Sequence, residues 1–220
     1  VPETKLVYDE HCRRCPRLAA FRDAVHEEHP TYWCRPVPSF GDEAARLLIV
    51  GLAPGMHGAN ASGRPFTGDY AGILLYRTLH EHGYASSATS RSRDDGLRLI
   101  DCRIANAVKC LPPENKPTPH EVKTCNAFLR HELATLASDA VLLALGRIAH
   151  DAVLLAFGER RNAFAFAHGA EHRLPRGPTL VDSYHCSRYN TNTGKLTTAM
   201  FDDVFDRIDR HLGRTGARRS

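Results

Sequence analysis

The chain has 220 residues, of which 42% are hydrophobic and 25% charged, with a formal charge of +4 and a pI near 8.7. That balance is ordinary for a soluble globular protein and suffices for one substantial core. No apolar run approaches the roughly 20 residues that span a bilayer, so membrane-embedded functions are excluded. The modest positive charge permits nucleic-acid binding without implying it.

The opening residues lack the apolar core of a signal peptide, and the expectation is a cytoplasmic protein with one domain over residues 1–220. The first predicted helix covers about 15–26, with Leu18, Phe21 and Val25 on its apolar side. Leu47, Leu48, Ile49 and Val50 read as a buried parallel strand that delivers Gly51 at its carboxyl end. A helix is predicted over about 72–81, and the Ser- and Arg-rich stretch 86–96 reads as a loop. A second strand is centred on residues 104–108 and a third on 141–145.

Between those two strands lies a helix start with a mechanism. Thr118 can cap, Pro119 suits the first turn, and Glu121 can complete a capping box. Helical spacing then runs through Val122, Cys125, Leu129, Leu133 and Leu136. A fourth strand begins at Leu180, and the last helix carries Phe201, Val204, Phe205, Ile208 and Leu212 on one face. Residues 214–220 read as a flexible basic tail, with a loose phosphate contact as the alternative. Alternating strands and helices imply an α/β fold whose ligands sit beyond the carboxyl ends of the strands.

Seven cysteines are present. Cys12 and Cys15 form a C-x2-C pair, and Cys110 and Cys125 flank a stiff Pro-containing loop. Four thiolates so placed suit a tetrahedral zinc or an iron–sulfur cluster, and spacing does not choose between them. Cys34, Cys102 and Cys186 lack such spacing and read as ordinary buried thiols.

Residues 51–69 are the densest polar segment and contain five glycines. A Gly-rich turn after a strand lets backbone N–H groups approach a phosphate. It is neither a Walker loop nor G-x-G-x-x-G, and it also reads as a plain glycine-rich loop with no ligand. Asp69 alone reads as a helix N-cap, and His185 as a group satisfying a strand end. Asn106 reads as one satisfying backbone, and Arg188 and Tyr189 as exposed loop residues.

Together, however, Gly51-Leu-Ala-Pro-Gly55, Gly63-Arg-Pro-Phe-Thr-Gly-Asp69, Asn106-Ala-Val-Lys-Cys110 and His185-Cys-Ser-Arg-Tyr-Asn190 resemble the motifs of the uracil-DNA glycosylase superfamily. The match is to its family 5, or type b, iron–sulfur branch, and it extends from Cys12 to about Thr198. The resemblance implies a three-layer α/β/α sandwich around a four-stranded parallel sheet. It implies a monofunctional, monomeric base-excision repair enzyme. Such an enzyme hydrolyses uracil, and other deaminated bases, from double- or single-stranded DNA and leaves an abasic site.

By the same resemblance a [4Fe–4S] cluster falls on Cys12, Cys15, Cys110 and Cys125, with zinc the less favoured occupant. Ala53 stands where better-known relatives carry a carboxylate or Asn, and the substitute acid falls on Asp69. Phe66 falls where a ring stacks on the flipped base, Asn106 where an amide meets its edge, and His185 where an imidazole faces developing charge. Gly51 and Ala53 complete the base-binding set. His57, Asn60, Arg64, Ser187, Arg188, Tyr189 and Asn190 fall among the DNA contacts, with Arg188 or Tyr189 as the wedge. A basic residue expected near Ala61 is missing, and Cys186 carries no assigned role. The competing reading is a non-enzymatic metal-binding module that binds nucleic acid; it leaves Asp69, Asn106 and His185 without a shared purpose.

Overall fold

The computed structural model describes residues 8–175 and 177–214. Its centre is a sheet of six strands: β1 (Phe40–Gly41), β2 (Leu47–Gly51), β3 (Cys102–Asn106), β4 (Val141–Leu145), β5 (Glu171–Arg173) and β6 (Thr179–Ser183). They lie in the order β1-β3-β2-β4-β6-β5. The inner four pair in parallel, as expected from their continuous apolar runs. The expected four-stranded sheet is corrected to six, because β1 and β5 add antiparallel edges. Strands of two and three residues give too short an alternation to be read from sequence.

Pleating sends alternate residues to opposite faces. Ile49, Ile104, Leu143 and Val181 meet α3 (Tyr70–Glu81) and α7 (Thr198–His211) through Leu75, Leu79, Phe201 and Phe205. Leu48, Val50, Leu142 and Leu180 meet α1 (Pro16–Glu28), α4 (Pro119–Leu133) and α5 (Arg147–Phe157) through Leu18, Leu129 and Val153. Most of these side chains have no exposed surface, and each contributes about 1.5–3 kcal/mol by burial. Helix α5 has no counterpart in the sequence expectations. Two short helices, α2 (Ala59–Ser62) and α6 (Arg188–Asn192), sit inside loops.

The predicted capping box closes as drawn. Thr118 Oγ1 accepts from Glu121 N at 3.3 Å, and Glu121 Oε2 accepts from Thr118 N at 2.7 Å. The helix stops at Leu133 rather than Leu136. Strand β3 ends at Asn106, two residues before the expected end, although Ala107 and Val108 still donate to the Gly51 and Leu52 carbonyls. Of the expected basic tail, residues 215–220 lie outside the described residues. Arg214 is anchored instead, over the Tyr84 ring at 4.2 Å and donating to His82 O at 3.1 Å.

Register decides what meets at the rim. Gly51 pairs with Asn106 across β2 and β3, and Leu145 with Ser183 across β4 and β6. The chain leaves β2 toward β3 on one side and returns to β4 on the other. The carboxyl ends of the central strands therefore open into one crevice.

Candidate active site

The rim assembles from glycines outward. A Cβ on Gly51 would lie 2.5 Å from Asn106 Oδ1 and 2.7 Å from Phe66 Cζ, so only glycine lets amide and ring converge there. Asn106 is buried, and its Oδ1 has no hydrogen-bond partner. A buried acceptor left unpaired costs about 1–3 kcal/mol. The Phe66 ring lies nearly parallel to that of His185, with centroids 6.0 Å apart and planes at 28°. Phe66 adopts φ 57°, an uncommon conformation for a residue with a side chain. A Cβ at Gly72 would collide with the Phe66 carbonyl, so that glycine is needed to seat the segment.

Asp69 occupies the N-cap position of α3 but makes no capping bond there. Its carboxylate turns back to accept from Ala59 N at 3.0 Å and fills the space beside Gly55 and Gly58, where a Cβ would overlap it. Burial pushes its pKa up, partly offset by the Ala59 bond. Its negative charge also acts on the wholly buried Cys186, whose thiol burial pushes up to about 12. His185 follows β6. Burial drives its imidazole down to about 4, and its ring nitrogens meet no partner among the described residues.

Beneath His185, Asp182 is fully buried and accepts from His150 Nδ1 at 2.8 Å and His172 Nε2 at 3.3 Å. The three side chains come close enough to suggest a metal. His150 Nε2, however, is already bonded to the Phe164 carbonyl at 3.0 Å, so neither ring nitrogen has a free lone pair. Burial would lower the His150 pKa, but Asp182 outweighs it and the net shift is upward. The cluster is a buried ion pair that ties α5 to β6.

The remaining expected contacts divide. Asn60 is wholly buried and donates to Cys34 Sγ at 3.4 Å. Arg64 is 3% exposed, paired with Asp95 at 2.8 Å and stacked over Phe40 at 4.6 Å. Both are therefore buried and engaged in internal bonds. His57 is exposed and shares a 3.0 Å hydrogen bond with Tyr32 Oη. Ser187 caps α6 by accepting from Asn190 N, and Asn190 Nδ2 donates to the His185 carbonyl at 2.8 Å. Arg188 lies 4.9 Å over Tyr70, and Tyr189 is 73% exposed. A cleft of about 390 Å³, lined by Phe66, Asp69, Tyr70, Ile73, Arg91 and Arg188, opens beside the niche. Asn106 and His185 are not among the residues that line it.

Cys12, Cys15, Cys110 and Cys125 line one apolar cavity with Tyr8, Leu18 and Phe128. Burial pushes the Cys110 and Cys125 thiols up, to about 12 and about 11. Cys125 Sγ accepts from Lys109 N at 3.3 Å, and Cys110 Sγ from Arg22 Nη1 at 3.6 Å.

Residues 38–209 match the model of the uracil DNA glycosylase superfamily. The chain belongs to the uracil DNA glycosylase superfamily. Relatives described as type-5 uracil-DNA glycosylases agree along nearly the whole chain. The Thermus thermophilus protein is 49% identical over 207 residues, covering 92% of this chain and 94% of its own. That of Mycobacterium tuberculosis is 44% identical over 204 residues, 88% of this chain and 75% of the relative. That of Pyrobaculum aerophilum is 43% identical over 207 residues, 92% and 90% respectively. Gly51, Phe66, Asp69, Asn106 and His185 all lie inside the region matched to the uracil DNA glycosylase superfamily. Gly55 and Gly58 make room for the carboxylate; sequence reasoning named Gly55 only as the end of a motif and did not single out Gly58. Their signal was the local run of glycines in residues 51–69.

Proposed function

We propose that this protein is a monofunctional uracil-DNA glycosylase that extrudes a deaminated base from DNA and hydrolyses its N-glycosidic bond. The observation that carries the reading is the unpaired Asn106 Oδ1, buried against the Phe66 ring and above Gly51. Uracil offers an N–H donor for such an acceptor and a carbonyl for the amide N–H2. Phe66 supplies the face on which the base stacks, and extrusion itself costs a few kcal/mol.

Bond breaking puts positive charge on the sugar and negative charge on the leaving base. Asp69 faces the sugar and holds the attacking water. His185, neutral because of its burial, donates to the base carbonyl as charge develops there. Tyr189 enters the duplex, with Arg188 beside it. Lysine chemistry plays no part, in keeping with Lys109, whose ammonium is held by Glu132 and Ser39, each at 2.7 Å.

The four cysteines would hold a [4Fe–4S] cluster that fastens the N-terminal segment to α4. Two features support the fit. All four thiols line a single apolar cavity, as a buried metal centre with four thiolate ligands requires. Arg22 is buried, its Nε has no partner, and it meets Cys110 Sγ and the Cys12 carbonyl rather than a carboxylate, so it needs anionic neighbours. No helix among the described residues is long and apolar enough to cross a membrane, and we read the protein as a cytoplasmic monomer with one domain.

The test is base release from duplexes bearing uracil, hypoxanthine, xanthine or thymine opposite guanine. The unaltered protein releases uracil, and Asp69→Ala loses most of that activity while keeping its fold. Near wild-type single-turnover release by Asp69→Ala would remove the assigned acid.

A further inference from the structure

The stretch 86–96, which reads as a loop in the sequence, lies at the surface but is tied to a buried side chain. Asp95 accepts from the backbone N–H of Arg91 at 2.7 Å, Ser92 at 3.2 Å and Leu97 at 3.0 Å, and pairs with the buried Arg64 guanidinium. Burial would raise the Asp95 carboxyl, but Arg64 and these N–H groups outweigh it and hold it well below the usual carboxylate range. Ser90 Oγ lies 2.6 Å from Thr67 Oγ1 and 3.0 Å from Arg64 Nη1, which joins the loop to the segment carrying Phe66 and Asp69. Arg91 is delivered by this frame to the edge of the 390 Å³ cleft, with Arg188 and Asp69 also on its wall. No acceptor among the described residues meets the Arg91 guanidinium, and no ion pair joins Arg91 or Arg188 to Asp69.

An arginine held on a preordered loop, facing a cleft and lacking a counterion, suits an anion supplied from outside. We infer that Arg91, held in place by Asp95 and its ion pair with the buried Arg64, binds a backbone phosphodiester of DNA across the cleft from Arg188. This deepens the glycosylase reading and rests on it. Arg64 thereby acts as a positioning residue rather than as a phosphate ligand.

The test measures affinity for a duplex carrying a non-cleavable abasic analogue, by fluorescence anisotropy over a range of salt concentrations. Arg91→Gln should weaken binding about tenfold at low salt and shrink the slope of log Kd against log salt by about 1, the signature of one lost phosphate contact. Arg91→Lys should restore most of the slope. Arg130→Gln, an exposed change on α4, controls for net charge, and melting temperatures should match because the Arg91 guanidinium has no internal partner. A slope for Arg91→Gln equal to that of Arg130→Gln would overturn the assignment. Uracil release by the unaltered protein is read in parallel. Its absence would sink the glycosylase reading alone, because the slope is measured on an uncleavable duplex.

Discussion

At the scale of single residues, the site depends on two groups held away from their solution behaviour. Asp69 sits in a desolvated niche where burial disfavours its negative charge and raises its pKa. Removing that charge relieves a cost of folding, and an amide oxygen can still accept from Ala59 N. Asp69→Asn is therefore expected to melt at or above the wild-type temperature while excision falls on the order of 100-fold or more; a clear drop in melting temperature would show that the carboxylate stabilises the fold. His185 has the opposite sign of dependence. Its folded pKa, about 4, lies below the ordinary 6.5, so between those values the unfolded chain takes up a proton that the folded chain refuses. Stability through this group is intact above about pH 6.5 and is lost as the pH falls toward 4. A neutral donor also predicts saturating excision rates that are level across pH 6–8. A titration step near 6.5 that vanishes in His185→Asn would contradict the neutral role. Both roles were suggested by motif resemblance alone. The residue types could not reveal that Asp69 leaves its own helix end unbonded or that Asn60 and Arg64 turn inward, because those outcomes depend on chain segments 10 to 31 positions away.

At the scale of elements, the short helix α2 and the two glycines before it form the wall against which Asp69 rests. Gly58→Ala would place a methyl group 1.9 Å from Asp69 Oδ1. The carboxylate must move, and excision should fall by about 100-fold with the far-ultraviolet circular dichroism unchanged; wild-type rates would mean that the wall yields freely. What could be read in advance follows from repeat length. The strands β2, β4 and β6 and the helices α1, α3, α4 and α7 carry long apolar patterns or a capping box, and all lie within a few residues of expectation. Helix α5 was missed because its apolar side is interrupted by His150 and Asp151, and His150 is itself buried by its bond to Asp182. A polar residue satisfied by a distant strand looks, from sequence, like a surface position. The loop 86–96 forms as expected, but its tie to the interior was not legible, since the partner of Asp95 is Arg64, 31 residues earlier.

At the scale of the whole molecule, two distant segments are joined at the cysteine cavity, where Cys12 and Cys15 face Cys110 and Cys125. The purified protein should be brown and contain about four irons per chain, and Cys110→Ser should be colourless and cleaved by protease before α1. One zinc and no iron in protein prepared without oxygen would overturn the cluster. The sheet borders have a separate consequence. A parallel sheet that ended on β3 or β6 would present five residues of unsatisfied backbone to any neighbour, a template for strands to zip together between molecules. The two-residue β1 and three-residue β5 cover those margins with antiparallel stubs too brief to recruit a further strand. Such guarded flanks let a catalyst that must crowd along a polymer stay dispersed at high concentration.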